Sequence, residues 1–376
     1  MSKKLSLFEG MCIITGYGIG SGVLLLPYYI AKVGFWYSMC IMAVAFVVSA
    51  LLHLMIADLA LRSGEDSQIV SIFNKYLFKG KSGKVFTWLF FGLMFVTLIA
   101  NLAIYISGSS LLINNLFNIG DLASKLLFYV FAAGFVFFGL KVIGVAEKLS
   151  IIFIMLAIGA LSVMSFFVPL SPMPAGNISL VGAVSLFGKI MFVFVAFFSV
   201  PQVVNGLRYD PKKIRPAVIG GLALNMVISL LIVIFSLAVF PIPEGMVSQD
   251  YLAIVEWTRS LGMFAEYLGV GVTILAFITT FWSISLALSD IVKEQLKAKN
   301  WLAWILATVP SLLLTLILPA TFENYINLAG GVIAILIVIL PGPNSLYVMS
   351  IASRFGIKTG YWGALGVFTG DLILIL

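Results

Sequence analysis

Thr15-Gly16-Tyr17-Gly18-Ile19-Gly20-Ser21-Gly22-Val23-Leu24-Leu25-Leu26-Pro27 lies inside a long apolar run, and its glycines alternate. Each glycine costs a helix roughly 1 kcal/mol relative to alanine. In hydrocarbon, broken backbone would leave N–H and C=O groups unsatisfied at several kcal/mol each. A break therefore persists only where it is buried in protein or lines a cavity. Four glycines in seven positions exceed what close packing through small residues needs. The stretch predicts a helix broken in mid-membrane. The N–H groups that open its second half can hold an anion such as a carboxylate. A soluble nucleotide loop is excluded, because no strand precedes the glycines and no P-loop lysine follows.

The rest of the chain supplies the hydrocarbon setting. Of 376 residues, 62% are hydrophobic and 10% are charged, against about 45–50% and about 25% in soluble domains. Such a composition excludes disorder, a disulfide scaffold, a fibrous repeat and a soluble enzyme. It predicts an all-α polytopic membrane protein of about 11 transmembrane helices, at about 20 apolar residues per crossing. Hydropathy places them at 8–33, 36–61, 85–116, 125–144, 149–169, 186–207, 214–240, 262–289, 301–319, 325–350 and 359–376. The start, Met1 to Thr15, has no A-x-A-type cleavage site and reads as a retained first span. Cys12 and Cys40 imply neither a disulfide nor a metal site. With His53 as the single histidine and no H-E-x-x-H or G-x-S-x-G, no catalytic residues are expected and the chain is not read as an enzyme.

With the N-terminus inside, 18 of the 22 basic residues fall on the cytoplasmic side, as the positive-inside rule requires. The net charge of +7 is thereby explained as membrane topology, and no nucleic-acid partner is implied. No soluble domain fits. Segment 62–84 is expected to carry a short helix on the inner face, and 241–261 an outer loop with a short helix.

A second interruption is expected in the sixth span, Phe194-Val195-Ala196-Phe197-Phe198-Ser199-Val200-Pro201-Gln202. Proline removes a backbone donor and disfavours helix at the preceding residue. This span opens a second set of five, as the glycine stretch opens the first. Five is odd, so the two sets have opposite orientations. Interruptions at corresponding places in inverted halves point to a transporter's midplane site.

These motifs resemble the amino acid/polyamine/organocation superfamily, and most of all its hydroxy and aromatic amino acid permease branch. Gly18-Ile19-Gly20-Ser21-Gly22-Val23-Leu24-Leu25-Leu26-Pro27 is similar to that branch's glycine-rich first helix. Val200-Pro201 with Tyr209-Asp210-Pro211-Lys212-Lys213-Ile214 is similar to its "VP" and "DPKK" elements. Thr279 to Asp290 resembles its eighth helix, and Ala100 to Gly108 its third. The resemblance covers about residues 8–335. It implies the LeuT-type fold of five plus five inverted helices, with helices 1 and 6 broken.

By position, the resemblance assigns the substrate carboxylate to the backbone of Gly18, Ile19, Gly20, Ser21 and Gly22. It assigns the ammonium to carbonyls around Ala196 to Ser199. Phe197 and Phe198 would wall the pocket, against an alternative of plain packing. Asn101 and Tyr105, four apart on one face, would line the site or hydrogen-bond between helices. No cofactor is expected beyond a coupling ion, sodium or a proton. In sodium-coupled relatives one site lies between the unwound first helix, here Gly16, and two hydroxyl residues on the eighth, here Thr279 and Thr280. Hard cations take such oxygens. Against this, hydroxyls inside a helix often bond their own i−4 carbonyls. Span 149–169 has no basic residue, which disfavours the lysine that some proton-coupled relatives carry there. Asp58, Glu147, Lys189, Glu266, Asp290 and Asp371 mostly fall at span ends, so no midplane carboxylate relay is expected. His53 reads as a hydrogen-bonded packing residue.

From about residue 336 the pattern changes. Pro341-Gly342-Pro343-Asn344 and the later Gly370-Asp371 resemble the N-terminal region of the lysine exporter/homoserine–threonine resistance family. The expected organisation is a transport core over 1–335 and a truncated exporter-like segment over 336–376 in place of helix 11. The expected function is secondary transport of a neutral aromatic or hydroxy amino acid in the cytoplasmic membrane. The rivals are export through the C-terminal module and a non-transporting sensor of the same fold. The partners expected are the amino acid and the lipid bilayer, with no oligomeric state implied.

Overall fold

A computed structural model describes residues 4–64, 67–76, 78, 83–177, 179–243, 252–318, 343–356 and 358–366. The expected tenth span, 325–350, lies outside them except for its last residues, as do Pro341, Gly342, Gly370 and Asp371. The helices are α1 (Leu7–Gly18), α2 (Ser21–Val33), α3 (Phe35–Ser63), α4 (Ile69–Tyr76), α5 (Gly83–Phe117), α6 (Asp121–Phe137) and α7 (Leu140–Met164). They continue with α8 (Leu180–Val193), α9 (Val200–Leu207), α10 (Ile214–Val239), α11 (Ala253–Arg259), α12 (Met263–Leu296), α13 (Asn300–Ile317) and α14 (Pro343–Phe355). Among the described residues six helical segments are long and apolar enough to cross a membrane, and α1 with α2 makes a seventh, bent span.

Burial sorts these helices into layers. α1 packs on α7, α10 and α12, and every residue from Glu9 to Gly18 except Met11 is buried. α5 and α12 hold 35 and 34 residues, about 50 Å each at 1.5 Å per residue. That exceeds a hydrocarbon core of about 30 Å, so both must cross at a tilt. α3, α6 and α13 turn much of their apolar surface outward, as lipid-facing helices do. α4 is a short helix where 62–84 was expected to carry one; its Ile69, Val70, Ile72 and Phe73 are buried while Asn74 and Lys75 stay exposed. α11 is a short helix where 241–261 was expected to carry one. Its Trp257 is buried, stacks on Phe235 at 5.9 Å and donates from Nε1 to Ser165 Oγ at 2.8 Å.

One boundary differs from the expectation. The fourth crossing ends at Phe137, and the chain turns at Gly139, whose φ is +82°. Hydropathy stays high through Phe137-Phe138-Gly139-Leu140 and conceals the turn. As a result α7 begins nine residues earlier than span 149–169. Glu147 and Lys148 lie within it and not in a loop.

Ser6 and Glu9 close a capping box on α1, at 3.2 and 2.7 Å. The Glu9 carboxylate also accepts two bonds from Lys141 Nζ, 2.8 and 2.7 Å, tying α1 to the start of α7. Glu9→Ala removes the ion pair and the carboxylate half of the capping box, while Ser6 Oγ still accepts from the backbone N–H of residue 9. A loss of about 1–2 kcal/mol is expected, read as a lower unfolding temperature in detergent. Asp210→Ala breaks only the exposed pair with Lys213 and should leave that temperature within error.

Candidate functional site

The first span breaks where the glycines predict. α1 ends at Gly18, α2 begins at Ser21, and the two halves meet at 57°. None of the four glycines has a positive φ. What each has is a neighbour that a Cβ would strike: the Glu147 carboxylate at Gly16, and the Asn225 amide and Val193 O at Gly18. At Gly20 a Cβ would lie 2.6 Å from Tyr105 Oη and 3.0 Å from Thr280 Oγ1, and at Gly22 it would lie 3.0 Å from the Phe192 ring. The alternation thus serves close approach on several sides. α2 has no side-chain cap at its N-terminus, so its first-turn N–H groups are not occupied by one.

The sixth span breaks between Val193 and Val200, and three side chains brace the break. Asn225 Nδ2 on α10 donates to Val193 O at 2.8 Å. Ser49 Oγ on α3 donates to Phe194 O at 3.0 Å. The Ala196 N–H donates to His53 Nε2 at 2.9 Å, while His53 Nδ1 lies 2.7 Å from Ser49 O. With the Nδ1 proton directed at that carbonyl, the ring is the neutral tautomer that accepts at Nε2. The His53 ring also lies 4.3 Å from that of Phe197. His53 is therefore a backbone brace, in line with its reading as a hydrogen-bonded packing residue. Ala196 O and Ser199 O accept from the backbone N–H groups of Ser199 and Val203.

The two breaks meet at a cavity of about 140 Å³. Of the expected substrate residues it is lined by Gly18, Gly20, Gly22, Asn101, Tyr105, Phe197 and Phe198. Ile19, Ala196 and Ser199 are buried beside the breaks but do not line it, and Ser21 sits at the α2 N-terminus. Tyr17, Thr97, Leu98, Phe192, Val195 and Ile284 line it as well; sequence reasoning missed them. Thr97 lies one helical turn before Asn101, whose Nδ2 donates to Thr97 O at 3.0 Å, so the third-helix face extends further than two residues. A larger cavity, about 490 Å³, opens among the ends of α6, α9 and α12. There Gln202 Nε2 donates to Asp290 Oδ2 at 2.9 Å.

Gly16 and Thr280 do come together. Thr280 Oγ1 lies 2.8 Å from Gly16 O and 3.0 Å from Ala276 O. Thr279 bonds only within its own helix, to Ala276 O at 2.9 Å. The unexpected member of this patch is Glu147. It is fully buried, its Oε1 accepts from Ser283 Oγ at 2.8 Å, and its Oε2 has no hydrogen-bond partner. Glu147 is an exception to the expectation that such charged groups mostly fall at span ends, because the early start of α7 puts it two turns inside the helix. The oxygens of Thr280, Gly16, Ser283 and Glu147 are hard donors of the kind a sodium ion takes.

The profile of the tryptophan/tyrosine permease family matches residues 3–376. The chain belongs to the tryptophan/tyrosine permease family. Its relatives include the tyrosine-specific transport system 1 of Haemophilus influenzae, 24% identical, with 97% of this chain and 92% of that one aligned. Glutamine transporter 2 of Aliivibrio fischeri is 22% identical, over 90% of this permease and 88% of that protein. A separate 42-residue likeness, 52% identical, is to the leucine efflux protein of Salmonella typhimurium; it spans 11% of this chain and 20% of that one. Among solved structures, Mhp1, a nucleobase-cation-symport-1 family transporter in a closed conformation with bromovinylhydantoin bound, superposes with a TM-score of 0.67. The sequences are 12% identical, and 97% of this chain and 91% of that one are covered. The fold is thus of the LeuT type, with helices 1 and 6 broken. The permease is a multi-pass membrane protein of an amino acid transport family.

Proposed function

We propose that this permease is a secondary active transporter that moves a neutral amino acid, aromatic or hydroxy, across the cytoplasmic membrane by alternating access. The observation that carries this reading is the cavity in which the two helix breaks meet. The uncapped α2 N-terminus beside Gly20 and Gly22 offers the positive end of a helix dipole to the substrate carboxylate. The backbone of Gly18 to Gly22, Ile19 and Ser21 included, holds that group. The ammonium lies against the main chain of the other break, from Val195 to Phe198, with Ala196 and Ser199 shaping it. Asn101 and Tyr105 face the side chain, and Phe197 and Phe198 wall it. The two long relatives are named for tyrosine and glutamine; both are uncharged amino acids, which supports a neutral substrate. Coupling is to sodium or protons, with Gly16, Thr279 and Thr280 as the sodium candidates. The N-terminus is cytoplasmic, and the larger cavity then opens to the cytoplasm, a path for release. The organisation we read is a core of 1–335 followed by an exporter-like segment over 336–376.

The test is a thermal-shift panel of the twenty L-amino acids on purified protein, followed by proteoliposome uptake of those that shift, with and without a sodium gradient. A stabilising neutral amino acid with saturable uptake is expected. A shift without uptake would make the chain a sensor, and no shift with any of the twenty would overturn the substrate class. Sodium-independent uptake, unchanged by Thr279→Ala plus Thr280→Ala, would remove sodium as coupling ion.

A further inference from the structure

We propose that Asn101 makes this permease select, among neutral amino acids, those whose side chain carries a hydrogen-bond donor: a hydroxyl, an amide or an indole N–H. The inference rests on the transport reading above and names the side-chain feature that the same cavity reads. Asn101 is 5% exposed on α5 and lines the cavity between the two breaks. An amide has a donor end and an acceptor end, and the surroundings settle which is which. Nδ2 donates to Thr97 O at 3.0 Å, one turn back on the same helix. A carbonyl only accepts, so a flipped amide would set two oxygens against each other. The other end is therefore Oδ1. Among the described residues nothing donates to it. Nor is it one of the polar atoms sealed inside the packing. In a buried residue that lines the cavity, the surface that Oδ1 keeps faces the cavity.

The other polar side chains of the wall are less selective. Thr97 Oγ1 is used on Leu93 O at 2.8 Å. Tyr17 and Tyr105 present phenols, and a hydroxyl rotates to donate or to accept. Asn101 Oδ1 has no such choice, because its amide is pinned at Thr97 O and a carbonyl oxygen never donates. Leu98, Phe192 and Ile284 supply no donor. A ligand that fills the cavity displaces water from Oδ1, and an acceptor buried without a donor bears the full cost of its desolvation. A ligand with a donor at that place removes the cost. An isostere that ends in carbon or sulfur does not. Sites of this kind reject the analogue that lacks the donor more sharply than an apolar pocket rejects a missing methylene. The place along the ligand follows from α5. Tyr105 stands against Gly20, where a Cβ would lie 2.6 Å from its Oη, so it belongs to the end that holds the carboxylate. Asn101 lies one turn away, about 6 Å along the axis, beside the side chain.

The experiment uses reconstituted full-length protein and counterflow of the amino acid that gives the largest shift in the panel. Unlabelled competitors come in pairs of similar shape that differ in the donor: tyrosine and phenylalanine, glutamine and methionine, threonine and valine, tryptophan and its benzothienylalanine analogue. In wild type the tightest competitor should be a donor-bearing member. Its partner should need at least about tenfold more for half inhibition. Asn101→Leu keeps the size and removes the amide, and in it the ratio should fall to within about twofold, with the donorless partner holding or gaining affinity. Thermal-shift titration of the same pair reads the ratio where this variant binds without transporting. Equal half inhibition within every wild-type pair would overturn the proposal, and that comparison needs no variant. So would an unchanged ratio in Asn101→Leu: with both members weakened alike, Asn101 serves the ligand's ammonium or the helix itself. Absence of counterflow by wild type with every amino acid would instead defeat the transport reading.

Discussion

Gly18→Ala is expected to abolish uptake and to cost the fold about 1–3 kcal/mol, the usual penalty of overpacking a tight interior. The new methyl would meet the Asn225 amide and come within 2.8 Å of Val193 O. The first neighbour is a side chain, but it cannot swing away freely. Its Nδ2 holds that same carbonyl at 2.8 Å, and its Oδ1 accepts from Ser229 at 3.3 Å. The second neighbour is backbone. One added carbon therefore pushes on both broken helices, at the place where the cavity is walled by each. Gly92→Ala, Gly159→Ala and Gly188→Ala are the comparison, because a Cβ at these positions meets nothing within 4 Å. They should leave uptake intact and the unfolding temperature unchanged or raised, since alanine favours helix. Uptake in proteoliposomes and thermal unfolding in detergent read both effects. Normal uptake in Gly18→Ala would mean that the two breaks are not packed together during transport.

Removing the braces of the sixth helix should have a comparable effect by the opposite route. Asn225→Ala leaves Val193 O without its donor, and His53→Ala leaves the Ala196 N–H without its acceptor. An unsatisfied buried polar group costs about 1–3 kcal/mol, toward the lower end where water from a cavity reaches it. Each variant should lose more than tenfold in uptake, because the wall of the cavity hangs on these bonds. Both act on the same short stretch, so the double variant should lose less stability than the sum of the two. Ser162→Ala removes only a bond to its own helix, Ile158 O at 2.7 Å, and should change little. Strict additivity of Asn225→Ala and His53→Ala would show that the two residues brace independent segments.

The architecture was legible because it rests on long averages and on residues with few alternative roles. Spans emerge from runs of some twenty apolar residues, and Gly16 to Gly22 and Pro201 mark the breaks through the backbone chemistry of glycine and proline. The cavity was half legible. Gly18, Gly20, Gly22, Asn101, Tyr105, Phe197 and Phe198 line it as their positions imply, whereas Phe192 and Ile284 are apolar residues among many, and nothing in the chain distinguishes them. Glu147 was lost to an error of a few residues. The turn at Gly139 is flanked by Phe138 and Leu140, so hydropathy runs through it, and the charge beyond was assigned to a loop. Asn225 and His53 were visible as polar residues in apolar helices, but the backbone atoms they brace in the sixth span are more than thirty residues away. No local pattern encodes such a pairing.

The aromatic residues exposed at helix ends set the height at which the permease floats. Trp36 and Tyr37 open α3, and Phe264 and Tyr267 open α12, on the side expected to face outward. Phe86 and Trp88 open α5, and Trp301 opens α13, on the other side. Rings of this kind settle at the headgroup level, so the two girdles fix a span of hydrocarbon that the surrounding lipid must match. A bilayer of the wrong thickness would have to be met by changing the slant of α5 and α12, the two longest rods, and these carry Tyr105 and Thr280 to the first break. Lipid chain length is thereby wired to the shape of the cavity.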